Sequence, residues 1–135
     1  GQAEVALELA IKRGLSRTAF GKPIINLGGN RERIADARMA INQARLLVLH
    51  AAWKLDTEGS APSEVSQIKV VVPNVAQQVI DMAIQLHGGA GMTQDLPLSA
   101  MWTNARSLRL ADGPDEVHRG VVARAEIGQY KEATR

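Results

Sequence analysis

Between positions 30 and 58 apolar residues return every three or four places. Ile34, Ala37, Ile41, Ala44, Val48, Ala51 and Leu55 form one stripe, and Met39, Asn42, Leu46, Leu49 and Trp53 form a second beside it. This spacing predicts a helix from about Asn30, placed as its N-cap, to Glu58, where Gly59 stops it. Two adjacent stripes predict cover over a wide arc, as in the middle of a bundle. The next segment repeats the pattern with Val65, Ile68, Val72, Val75, Val79, Met82 and Leu86. Ser63 is the expected cap there, with Pro62 just outside it. Pro73 falls inside the stripe, which continues past it, so the helix should bend there rather than end.

Shorter patterns flank these two. Residues Gln2 to Arg17 read as a helix with Val5, Leu9 and Ala10 on one side, and "FGKPIINLGGN" breaks it into an ordered loop or extended crossover. After residue 91 a short helix is expected from Pro97, a favourable first-turn residue, to about Arg109. A last helix from about Pro114 to Lys131 carries Val117, Val121 and Ile127 inward. The sum is an all-α fold, an up-and-down four-helix bundle with a short extra helix.

Composition narrows the class. The 135 residues are 45% hydrophobic and 22% charged, with a net charge of +2, which suits one domain with a real core. Phe20, Trp53, Trp102 and Tyr130 are the full aromatic set, so Ala, Val, Ile and Leu supply the packing. No run of Lys and Arg alternates with aromatics, which leaves a nucleic-acid partner without support. Cysteine is absent, so disulfides and thiolate metal sites are excluded. No apolar run approaches the ~20 residues of a membrane span. The chain starts on Gly1 and is amphipathic from its first turn, which predicts a piece of a longer polypeptide cut at or inside a helix.

Candidate chemistry gathers at two places. "LHGGAGM" puts Gly88, Gly89 and Gly91 directly after a helix, with Gln85 just ahead. One reading is a left-handed helix stop, which needs one or two glycines. The other is a set of backbone N–H groups that approach an anionic ligand such as phosphate. The second place is "LADGPDEVH". Asp115 and Glu116 read as acids at a helix start. Asp112 lies before the Gly-Pro corner, where it could point into a cleft of restricted solvation and act as a base. His50, His87 and His118 lack ligand spacing, so no metal site is expected. Arg17, Arg106, Arg109, Arg119 and Arg124 read as solvated or paired.

Three motifs in order carry a resemblance. "RTAFGKPI" (17–24), "AIQLHGGAG" (83–91) and "LADGPDEVH" (110–118) resemble the C-terminal helical domain of acyl-CoA dehydrogenases over nearly the whole chain. The A-D-G-P-D-E-V-H form resembles the branch of family members ten and eleven. The resemblance implies residues 1–135 as a single C-terminal helical bundle domain, a fragment of a longer chain that adds an N-terminal helical and a middle β-domain. It also implies FAD as cofactor. By resemblance, Arg17, Phe20 and Gly21 of R-x-x-F-G reach the FAD of a neighbouring subunit. Gln85, Gly88, Gly89 and Gly91 lie against its diphosphate and ribose end.

The family's Y-E-G-T turn is Ala111-Asp112-Gly113-Pro114 here, so the resemblance assigns the catalytic base to Asp112. This reading puts Asp112 on the side of the bundle that carries Arg17 and the glycine turn. The implied reaction is α,β-dehydrogenation of an acyl-CoA to a trans-2-enoyl-CoA, with electron-transferring flavoprotein as acceptor. A homodimer or homotetramer is implied, and the isolated 135 residues are expected to hold no stable FAD and to be inactive. An Arg-Asp pair of the family is replaced by Thr103-Asn104. Two alternatives stand beside this: a non-catalytic helical oligomerisation module, and a related flavoenzyme of the nitroalkane or acyl-CoA oxidase type. The compartment implied is the cytoplasm in a bacterium, or the mitochondrion or peroxisome in a eukaryote.

Overall fold

The computed structural model describes residues 1–133, with side chains as far as Lys131. Five α-helices run in the order α1 (Gln2–Ser16), α2 (Asn30–Glu58), α3 (Pro62–His87), α4 (Leu98–Ser107) and α5 (Asp115–Ala133). Between α1 and α2 the chain forms a minimal hairpin, β1 (Thr18–Ala19) and β2 (Lys22–Pro23), then one 3-10 turn over Ile24–Asn26. No helix of the described residues is long and apolar enough to cross a membrane.

The helix α3 is the axis of the bundle and packs against α1, α2, α4 and α5. Its inward stripe, Val79, Ile80, Ala83 and Leu86, meets Ala6, Leu7 and Ala10 of α1, Ala37 and Ile41 of α2, and Leu98, Met101 and Ala105 of α4. Small alanines at these contacts let helix axes approach closely, which explains how a chain with few aromatics closes a core. Pro73 lies buried within α3, and the helix continues through it. The carbonyl that loses its donor there is that of Lys69, four residues back; Asn74 Nδ2 donates to the next one, Val70, at 2.7 Å.

Several sequence expectations need correction. The cap of α2 is Gly29, in a left-handed conformation; Asn30 is the first helical residue, its Nδ2 donating to the Ile24 carbonyl at 2.8 Å and its Oδ1 accepting from Arg33 Nη1 at 3.3 Å. Pro62 opens α3, with Ala61 at the cap position, where a missing N–H costs nothing; Ser63 instead accepts from Gln67 Nε2. The helix α4 starts after Pro97 and ends at Ser107, and α5 starts at Asp115.

The arc of α2 is covered on one side only. Ala37, Ile41, Ala44 and Ala51 are buried, while Met39, Leu46, Leu49 and Trp53 of the second stripe are exposed, as are Val48 and Leu55 at one edge of the first. Val5 of α1 and Val117 and Ile127 of α5 are exposed too; α5 packs mainly on α3, and Val5 faces away from the α2 and α3 contacts of α1.

Candidate functional site

At one end of the bundle the last turn of α1 meets the glycine turn after α3. Leu9, Lys12, Arg13 and Ser16 face His87, Ala90 and Leu96 across an open cleft of about 760 Å³. The chain leaves α1 through Arg17 into the hairpin, whose register pairs Ala19 with Lys22 and leaves Phe20-Gly21 as a two-residue turn. Both turn residues have positive φ, 51° and 77°, the pair that a hairpin of this length needs to match the strand twist. Glycine meets that need without strain. A phenylalanine does not, and Phe20 is also 95% exposed, so neither local preference nor packing explains it. Two of the three motifs are therefore brought to one end of the molecule.

The glycine turn is a 3-10 helix over Gly88–Met92 rather than a simple left-handed stop. Its three glycines have different reasons. Gly88 ends α3 with φ of 64°, and its N–H donates to the carbonyls of Gln85 and Ile84. Gly91 is buried, and a Cβ there would stand 2.9 Å from the Ile84 Cα and carbonyl oxygen. Gly89 has an ordinary φ and open space where a Cβ would go. Folding requires the first and third glycine; the second is left without a structural reason. Below them His87 is buried, with Nδ1 2.8 Å from the Ala83 carbonyl. Gln85 faces away, into a groove of about 480 Å³ between α2 and α3 that Arg33, Asp36 and Asp81 also line.

Donor chemistry at this end suits an anion. Arg13 in the last turn of α1 and Arg17 in the step after it bring two cations to this end, while Lys12, just before that turn, is paired with Glu8. The Arg13 Nε is buried and has no hydrogen-bond partner among the described residues. A diphosphate would satisfy such a guanidinium, and Gly89 would let backbone approach it.

The second region is the turn between α4 and α5. Asp112 has φ of 53° and Gly113 has 99°. Neighbouring elements hold this turn from its backbone side. Lys69 Nζ donates to the carbonyls of Leu108, at 2.7 Å, and Gly113, at 3.2 Å. The His118 ring spans from the Asp112 carbonyl, 3.1 Å from Nε2, to Ser66 Oγ, 3.3 Å from Nδ1.

Asp115 stands at the start of α5 as expected of an acid there, but it is 2% exposed and accepts from Arg109 Nε at 2.9 Å and Asn74 Nδ2 at 3.0 Å. Burial alone would raise its carboxyl. The hydrogen bonds from Asn74 and Arg109 and the charges of Arg109 and Arg119 outweigh that and hold it below the usual carboxylate range. Sequence pattern missed Lys69, Asn74, Asp115 and His118 as the frame of this turn; a buried cation–carboxylate pair leaves no spacing signal.

Asp112 itself is exposed, so the restricted cleft expected around it is not formed by this chain. Nor does it share a side with Arg17 and the glycine turn. Its turn is fixed near Ser66 and Lys69, whereas the glycines follow His87, and at ~1.5 Å of rise per residue these stations on α3 stand roughly 30 Å apart. The physical reason is that α3 connects the two regions along its length. Among the described residues no group of three or more His, Cys, Asp or Glu could hold a metal ion.

Comparison with known proteins agrees with the helical architecture. Residues 1–127 match the family model described as acyl-CoA dehydrogenase, C-terminal domain. A Mycobacterium tuberculosis relative described as an acyl-CoA dehydrogenase, FadE2, is 46% identical over 133 residues, 97% of this chain and 33% of its own. Acyl-CoA dehydrogenase family member 10 of Mus musculus is 50% identical over 129 residues, 94% of this chain and 12% of its own. A solved structure from Mycobacterium abscessus, described as an acyl-CoA dehydrogenase, superposes with a TM-score of 0.94 at 74% identity, over 96% of this chain and 32% of that one. The chain thus spans a third or less of the proteins it matches.

Proposed function

Since this chain belongs to the acyl-CoA dehydrogenase family, matching its C-terminal domain, we propose that it is the FAD-contacting and oligomerising part of a longer enzyme that dehydrogenates an acyl-CoA to a trans-2-enoyl-CoA. The observation that carries this reading is where the backbone is strained. Among the described residues the non-glycine positions with left-handed backbone are Phe20 and Asp112. One sits in each candidate region, and strained backbone concentrates at working sites.

The roughly 30 Å between the regions supports a reading in which they serve different sites. One chain serves two sites: its Asp112 end completes one, and its Arg17 and glycine-turn end reaches the cofactor of a neighbouring subunit. Arg13, Arg17 and the Gly89 backbone would be the donors for the diphosphate, with Phe20 and Gly21 of the hairpin as further contacts. FAD, when bound, supplies the hydride acceptor for the substrate's β carbon. Asp112 takes the proton from the α carbon. Its side chain is one methylene shorter than the glutamate of the family's usual turn, so the position of its backbone matters more. The walls that shield this carboxylate from water come from other parts of the enzyme. Electron-transferring flavoprotein is the proposed acceptor, and the isolated 135 residues are expected to be inactive.

Asp112→Asn in the full-length enzyme tests the assignment. The variant should keep FAD and lose acyl-CoA-dependent bleaching of the flavin; undiminished bleaching rules out Asp112 as base. Full-length protein that never takes up added FAD would turn the reading toward a non-catalytic oligomerisation module.

A further inference from the structure

Resting on the reading of Asp112 as base, we propose that His118 is a positioning residue that aims the Asp112 carboxylate by holding its main-chain carbonyl. The carbonyl can only accept, so the His118 Nε2 that lies 3.1 Å from it carries the proton. Its Nδ1 lies 3.3 Å from Ser66 Oγ, a hydroxyl that can pair with it as donor or acceptor. Ser66 is buried on α3, the helix to which the other four are packed. A line of contacts therefore runs from the rigid axis of the bundle through one imidazole to the peptide that follows Asp112.

The turn is built around this ring. Gly113 has φ of 99°, and a Cβ there would stand 3.2 Å from His118 Nε2, so the imidazole occupies the space a side chain would need. Lys69 holds the carbonyls of Leu108 and Gly113 from α3, and Asp115, three residues before His118, is pinned by Arg109 and Asn74. The carbonyls of residues 108, 112 and 113 each have a donor fixed outside the turn. With Asp112 in the left-handed region, the direction of its Cα–Cβ bond follows the orientation of the 112–113 peptide. Removing the Nε2 donor frees that peptide to rotate and the carboxylate to swing. Misplacement by about 1 Å costs a proton transfer up to about 100-fold.

The test compares His118→Ala, His118→Gln and His118→Asn with Asp112→Asn in the FAD-loaded full-length enzyme, using butyryl-, octanoyl- and palmitoyl-CoA as probes. His118→Ala should lower kcat by about tenfold to a hundredfold, with KM within about twofold and FAD content and melting temperature preserved. The Gln amide reaches the Asp112 carbonyl and should restore most of kcat. The Asn amide reaches Ser66 only and should remain as slow as Ala. Should the Ala variant fail to fold, the ratio of kcat between Gln and Asn decides the matter alone. Equal rates in Gln and Asn, or an Ala variant within about twofold of the unaltered enzyme, would overturn the proposal. Full turnover in Asp112→Asn would remove the base assignment and this inference together. An inactive Asp112→Asn beside a fully active His118→Ala would remove this inference alone.

Discussion

Arg109 Nε lies 2.9 Å from Oδ2 of Asp115, a carboxylate that the fold has almost wholly withdrawn from water. The same guanidinium places Nη1 2.9 Å from Gln77 Oε1, so one side chain ties the end of α4, the start of α5 and the middle of α3. The pair thus fastens α5 to a bundle whose buried apolar cluster α5 does not enter.

Stability should therefore fall with acid in a way that Asp115 controls. Its carboxyl is held below the ordinary range in the folded chain and returns to about 3.9 when unfolded. The contribution is present above that unfolded value and is lost as pH falls through the lower folded one. Thermal melts of the chain from pH 7 downward should show Asp115→Asn flattening the acid limb below about pH 4. Some slope should persist, because Glu4, hydrogen-bonded by Arg38, and Glu64, hydrogen-bonded by Lys54, are lowered as well. Arg109→Ala at pH 7 should cost about 1–3 kcal/mol, since it removes a charged hydrogen bond from a buried carboxylate that keeps Asn74 as its donor. An unchanged acid limb in Asp115→Asn would refute the linkage.

Gly91 and Gly89 should separate folding from cofactor contact. Alanine at 91 would press its Cβ into the Ile84 backbone, which cannot yield as a side-chain tip can, so Gly91→Ala should destabilise by about 1–3 kcal/mol. Gly89→Ala has open space and should shift stability by no more than about 0.5 kcal/mol. In the full-length enzyme the order reverses for retention of FAD per unit of folded protein, where Gly89→Ala should be the weaker binder. Equal FAD retention in Gly89→Ala and the unaltered enzyme would leave that glycine without the role assigned to it.

Legibility of the fold in the sequence followed the periodicity. The stripe Val65 to Leu86 gave α3 its true length through Pro73, because a single lost hydrogen bond is small against a continuous apolar face. Helix starts were less legible: Gly29 and Ala61 took cap positions assigned to Asn30 and Ser63, whose side chains have partners elsewhere. Depth of burial was the weakest reading. The Met39 to Trp53 stripe has the spacing of a covered face, yet spacing does not say whether the cover is this chain or another. At the candidate site the glycines and Asp112 were visible as residue types. The roughly 30 Å between them, most of the length of α3, was not, since motif order carries no distance.

Phe20 offers a test in which strain and function oppose each other. Asparagine tolerates the first position of such a hairpin turn, so Phe20→Asn should leave the chain as stable or raise its stability by about 0.5–1 kcal/mol. Little packing is lost, because the ring is exposed. Titration of FAD into full-length apoenzyme should show weaker binding for the variant. A destabilised Phe20→Asn with unaltered FAD affinity would mean that the ring serves the fold of the hairpin instead.

The open face of α2 bears on assembly. Leu46 and Trp53 are 67% and 57% exposed, and Leu49 and Met39 lie with them along one side of a long helix. Large apolar side chains repeating at helical spacing lose free energy in water that a second copy would recover. His50 stacks on Trp53, with ring centroids 5.9 Å apart, and so orders the aromatic end of this stripe before any partner arrives. Leu46→Glu together with Leu49→Glu should reduce self-association in light scattering. The stability of the individual chain should change little, because neither residue enters its buried core. Monomer in both proteins, at every concentration, would show that α2 contributes no interface and would move oligomerisation to another face.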